Sequence, residues 1–64
     1  MRNEIAIFRK KKDLTQQQLA EIVGVSVGHI CKIENGQKNA SLYLLLDIAD
    51  ALDTTVGELI PGIF

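Results

Sequence analysis

The feature that most confines this chain is the short distance between its helix start and stop signals. Thr15 is a good N-cap residue, and Gln18, three positions on, completes a capping box. Gly24 follows as a natural left-handed terminator, and Ser26 is a second N-cap two residues later. Asn35-Gly36 then stops whatever Ser26 starts. The spacing predicts one helix over Gln16 to Val23 and another from Ser26 to about Glu34, joined by a turn of three or four residues containing Gly. Helices joined in this way cross at about 90–120°.

Such a corner makes specific demands, and the residues from Gln16 to Asn35 meet them. Ala20 is small enough for the second helix to approach the first, and Gly24 permits the sharp reversal. Val25 plugs the corner, and Ile30 and Ile33 dock the second helix.

Three further helices flank the corner. The first is expected over about Arg2 to Lys12, with Ile5 and Phe8 inward and Arg9 to Lys12 in the last turn, where the macrodipole favours cations. Asp13 stands where a left-handed residue is often needed. Ser41 caps a fourth helix, about Leu42 to Leu52, with Leu42, Leu45, Ile48, Ala49 and Leu52 on one side. Thr54 or Thr55 starts a short last helix through about Ile60, ended by Pro61-Gly62. The pattern has no strand alternation and only short connections, so residues 1–64 are expected to form a single all-α, five-helix bundle.

Composition narrows the function. A 64-residue chain is marginal in size, and 47% hydrophobic with 5% aromatic residues means an aliphatic core. One Cys excludes an internal disulfide, and no Cys/His cluster has zinc spacing, so neither metal nor cofactor is expected. No signal-peptide pattern and no membrane-length apolar run occurs, which makes the cytoplasm the default. Up to Leu46 the chain carries seven basic and four acidic side chains; from Asp47 onward it carries four acidic and none basic. That asymmetry suits a protein meeting a polyanion with one end, or is ordinary surface charge.

The segments "LTQQQLAEIVGVS", "HICKIENG", "SLYLLLDIADAL" and "VGELI" resemble the phage repressor/Cro-type (Xre) helix-turn-helix family, and the likeness runs from about Ile5 to Ile60. The resemblance implies a lambda repressor-like domain that lays its third helix in the major groove of double-stranded DNA. Ser26, Val27, Gly28, His29 and Lys32 would then face DNA. Gln16, at the start of the second helix, would contact a phosphate and buttress the third helix, with Gln17 beside it. Asn35, Gln37, Lys38 and Asn39 would meet the backbone. Arg9 and Glu34 match a family ion pair joining the first helix to the third. Taken on their own, Lys32 and His29 also admit a reading as solvated side chains. Cys31 reads as a small filler. Gly28 is costly in a helix, by roughly 1 kcal/mol against Ala, unless close approach requires it.

The family usually dimerises, so the expected regulator is a homodimeric repressor on an inverted-repeat operator. Ile7, Tyr43, Leu44, Ile60, Ile63 and Phe64 look surplus to one core, and the tail "IPGIF" is a candidate seam. The competing reading folds that tail back onto its own chain. A rival class is a partner-binding module such as an antitoxin. An enzyme has no support: Asp47, Asp50 and Asp53 line one helical stripe, and His29 and Cys31, two residues apart, do not face each other. No small-molecule substrate is therefore expected.

Overall fold

The computed structural model describes residues 3–63. Within it the helices are α1 (Ile5–Lys11), α2 (Gln16–Val23), α3 (Val27–Glu34), α4 (Leu42–Ala51) and α5 (Val56–Leu59). Among the described residues there is no strand.

Four of the helices end in the same way. Asp13, Gly24, Gly36 and Asp53 adopt φ of 56°, 78°, 75° and 54°. The amide of the residue after each one reaches back five positions: Leu14 to the Arg9 carbonyl (3.2 Å), Val25 to Ala20 (3.0 Å), Gln37 to Lys32 (2.9 Å) and Thr54 to Ala49 (2.9 Å). These are Schellman endings, which satisfy carbonyls left over at a helix C-terminus and reverse the chain within two residues. Asp at two of the positions is tolerated because its short polar side chain makes the left-handed region accessible.

The starts are equally regular. The hydroxyl oxygens of Thr15, Ser26, Ser41 and Thr55 accept hydrogen bonds from the amides of Gln18, His29, Leu44 and Glu58 at 3.0–3.2 Å. Gln18 Oε1 accepts in return from the Thr15 amide at 2.8 Å, closing the capping box.

Each helix delivers at least one fully buried side chain to a single core: Ile5 from α1, Leu19 from α2, Ile30 and Ile33 from α3, Ile48 from α4 and Leu59 from α5. Phe8 and Val23 pack against this cluster from half-buried positions. The two chain ends are tied together, since the Glu4 amide donates to the Leu59 carbonyl at 2.7 Å. Lys12 pairs with Asp53, joining the end of α1 to the α4–α5 turn.

Several expectations need correction. The first helix begins at Ile5; Arg2 lies outside the described residues. Asn3 is not helical: it precedes the Glu4 N-cap, and its Oδ1 accepts from the Ile5 amide at 3.1 Å. Helix four ends one residue early, at Ala51, and Leu42 is exposed rather than inward. The buried side of α4 is Leu44, Leu45, Ile48 and Ala49, continued by Leu52, which leaves Leu42 and Leu46 on its flank and Tyr43 opposite the core. Leu44 (9% exposed) and Ile60 (5%) are not surplus, because the monomer core already covers them. Ile7, Tyr43 and Ile63 remain exposed, and Phe64 lies outside the described residues.

Two glycines of the corner make a sharp test of this account. A Cβ added at Gly24 or at Gly28 meets nothing within 4 Å, but only Gly24 has a positive φ. Gly24→Ala should lower stability by about 1–2 kcal/mol, through left-handed backbone strain alone. Gly28→Ala should raise it by about 0.5–1 kcal/mol, through helix propensity. Urea denaturation of the two variants would show midpoints moving in opposite directions.

Candidate nucleic-acid interface

The corner is built as the spacing requires. Leu19 and Ala20 of α2 are buried beneath Ile30 and Ile33 of α3, and Val25 sits half-buried in the turn between them. At 3.6 residues per turn, the side of α3 opposite Ile30 and Ile33 carries Gly28 and Lys32 and continues to Asn35. All three are exposed, as is Val27 on the flank of the first turn.

The far end of α3 is clamped by its neighbours. Arg9 Nε donates to Glu34 Oε2 at 2.7 Å, and Arg9 Nη2 donates to Glu34 Oε1 at 3.1 Å, a bidentate pair between α1 and α3. Arg9 Nη1 donates to the Leu14 carbonyl at 2.7 Å, fixing the turn into α2. Gln16 Nε2 donates to Glu34 Oε1 at 3.0 Å, so the start of α2 joins the same group. Asn3 Nδ2 adds a bond of 2.8 Å to the Ile33 carbonyl.

The side chains of Arg9 and Glu34 are only 10% and 4% exposed. Glu34 also occupies the last turn of its helix, the end where the macrodipole disfavours an anion. Arg9 offsets both penalties. Among the described residues, no buried side-chain nitrogen or oxygen lacks a partner.

The other candidate DNA-facing residues fall into two groups. Lys32, Asn35, Gln37, Lys38 and Asn39 are exposed along the outer side of α3 and the loop after it. Ser26, Gln16 and Gln17 already have intramolecular roles: Ser26 caps α3, Gln16 buttresses Glu34, and Gln17 Nε2 reaches Glu21 Oε2 at 3.5 Å. Gln16 and His29 are half-buried. The Asn35 side-chain Nδ2 donates to Cys31 Sγ at 3.6 Å, a weak contact. The sequence reading missed the Leu14 carbonyl and the Asn3 brace. No spacing signals the first, because a backbone acceptor leaves no residue-type trace. The second joins residues thirty positions apart and again ends on a backbone acceptor, so it too leaves no local signal.

The model of the helix-turn-helix family matches residues 5–59. The chain belongs to the Cro/Xre-like helix-turn-helix family of DNA-binding transcriptional regulators. This helix-turn-helix protein is 39% identical over 57 residues to an uncharacterized HTH-type transcriptional regulator, YazB, of Bacillus subtilis, spanning 89% of this chain and 83% of YazB. It is 38% identical over 53 residues to the control protein C.SmaI of Serratia marcescens, covering 83% of this chain and 63% of that one.

Among solved structures, the restriction-modification controller protein C.AhdI of Aeromonas hydrophila superposes with a TM-score of 0.83 at 35% identity, over 89% of this chain and 86% of that one. The clp gene regulator ClgR of Corynebacterium glutamicum gives 0.79 at 36% identity, but this chain spans only 56% of it. The family is one of transcriptional regulators and not of enzymes. Among the described residues, no helix is long and apolar enough to cross a membrane.

The clamp sets a measurable expectation. Arg9→Ala leaves Glu34 buried without its cation and should cost about 3 kcal/mol, enough to unfold much of so small a domain at 37 °C. Replacing both partners by apolar residues, Arg9→Met with Glu34→Leu, removes the charge altogether and should recover most of the loss. Comparing chemical denaturation of the single and double variants checks this. A double variant no more stable than Arg9→Ala would contradict it.

Proposed function

We propose that this helix-turn-helix protein is a sequence-specific repressor that binds an inverted-repeat operator as a homodimer, with α3 in the major groove and α2 crossing the backbone. One observation carries the reading. The two isoleucines that anchor α3 are fully buried, while Gly28, Lys32 and Asn35 on its opposite side stay open to solvent. A helix about 10–12 Å across fits a groove about 12 Å wide only if the protein leaves that side uncovered.

On this reading Lys32 reaches a guanine edge, and Lys38 and Asn39 meet phosphates in the loop after α3. Gln16 contributes indirectly, by holding α3 through Glu34, and directly through the phosphate-binding character of the α2 start. A single module makes few contacts, so two copies on half-sites about 34 Å apart supply the missing affinity. The dimer face lies on α4, where Leu42, Tyr43 and Leu46 are exposed. The dimer represses by covering a promoter, in the cytoplasm, without a catalytic step.

The same apolar flank of α4 supports a second reading, a module that docks another protein, as an antitoxin does. Selection of bound duplexes from a random pool, at two salt concentrations, separates the two. Enriched inverted half-sites one helical turn apart support the repressor. Lys32→Ala should then relax preference at one base position and cost about 1–3 kcal/mol of binding. A loss spread uniformly over all sequences would make Lys32 a phosphate contact instead. Failure to enrich any duplex, together with a stoichiometric complex with a co-expressed protein, would favour the docking module.

A further inference from the structure

The C-terminal end of α3 is bonded in a way that the ends of α1 and α4 are not. The Ile33 carbonyl accepts twice, from the Gly36 amide at 3.1 Å and from Asn3 Nδ2 at 2.8 Å. Among the described residues, the matching carbonyls of Lys10 and Asp50 accept from the amides of Asp13 and Asp53 and from no side chain. A side chain that precedes the first helix is thus tied to the last turn of the third.

The Asn3 amide has one orientation available. Its Oδ1 accepts from the Ile5 amide at 3.1 Å, so Nδ2 faces Ile33. Turning the amide over would set donor against donor and acceptor against acceptor. The segment is itself well anchored. Ile5 is fully buried, and the Glu4 amide donates to the Leu59 carbonyl at the end of α5 at 2.7 Å. The bond from Asn3 falls on the peptide between Ile33 and Glu34. Arg9 and Gln16 reach the Glu34 carboxylate, at the tip of a flexible side chain, and leave that peptide able to turn. Asn3 takes hold of the peptide itself. Just beyond it the chain leaves α3 through Asn35 and enters the exposed run of Gln37, Lys38 and Asn39.

Resting on the placement of α3 against DNA proposed above, we propose that Asn3 is a positioning residue for DNA recognition. Its amide fixes the Ile33–Glu34 peptide, and through it the angle at which Asn35, Gln37, Lys38 and Asn39 reach the duplex. Carbonyls at a helix C-terminus lack intrahelical donors. A donor aimed at one of them from another segment stiffens the last turn and adds nothing to the outer side of the helix. Binding groups must be held within about 0.5 Å of their productive positions, by bonds that do not themselves touch the ligand.

The test uses the full chain and the operator obtained by duplex selection, with two variants. Asn3→Ser changes no charge and keeps the local role, since a serine oxygen also accepts from an amide two residues on. Its shorter side chain does not span to Ile33. Ile48→Val trims a fully buried side chain of α4 and lowers stability without touching the end of α3. Affinities are read at a temperature where all three chains are fully folded by circular dichroism. Asn3→Ser should bind about fivefold more weakly than the parent, the worth of one hydrogen bond, and Ile48→Val should bind as the parent does. Native-state hydrogen exchange gives the second readout. The Gly36 and Gln37 amides, which close the end of α3 on Ile33 and Lys32, should exchange faster in Asn3→Ser. The Leu14 and Thr54 amides, in the matching bonds of α1 and α4, should keep the parent's rates.

Parent affinity in Asn3→Ser would overturn the proposal alone. So would a loss that Ile48→Val matches, which would assign the effect to stability. A loss with Gly36 and Gln37 exchanging as in the parent would also overturn it, because the effect would then not pass through Ile33. A parent chain whose amide shifts on duplex binding spare α3 and the loop after it would remove the DNA-facing reading itself, and the positioning role with it.

Discussion

The Arg9–Glu34 pair is the point on which three helices converge. Glu34 is an anion at the wrong end of its helix and nearly out of solvent. Alone it would work against the packing of α3. With Arg9 bidentate upon it, Gln16 donating to it and Leu14 engaged through Arg9, the same carboxylate becomes a joint between α1, α2 and α3. Hydrophobic burial of Ile30 and Ile33 supplies the attraction that holds α3 to the core. The polar joint supplies the geometry, because bidentate bonds tolerate little rotation.

That division of labour suits a protein that must hold one helix rigidly at its own surface. An exposed recognition helix has only a narrow stripe with which to anchor itself. Here the stripe is two isoleucines, and the rest of the anchorage comes from its ends: Ser26 at the start, the Arg9–Glu34 joint and the Asn3 brace at the finish. The outer side is thereby left free of packing duties and can carry even a glycine, a poor helix former. Packing and solvent exposure are partitioned between opposite sides of the same eight residues.

The helix limits were legible because nearly all are written in side chains with a mechanism. Thr15, Ser26 and Ser41 cap, Gly24 and Gly36 reverse, and Asp13 does the same less comfortably. The corner was legible for the same reason, since Ala20, Gly24 and Val25 each answer a steric demand. The phase of α4 was not. With leucine at positions 42, 44, 45 and 46, several helical stripes read as apolar, and only packing against the other helices selects Leu44 over Leu42. The apparent surplus of Leu44 and Ile60 came from underestimating how much apolar surface five short helices must bury at their junctions. At the candidate interface, the outward residues followed from the family resemblance, and all but the half-buried His29 are exposed. That Gln16 braces α3 followed from the family resemblance; that Glu34 is the partner it bonds followed only from the tertiary arrangement.

The central claim is that the open side of α3 is the surface that meets DNA. A titration of the ¹⁵N-labelled chain with its selected duplex, followed by amide NMR shifts, tests it most directly. The account predicts the largest changes at Gly28, His29 and Lys32 and at the start of α2, with the amides of α5 little moved. Changes concentrated on α4 and α5, with α3 silent, would contradict it.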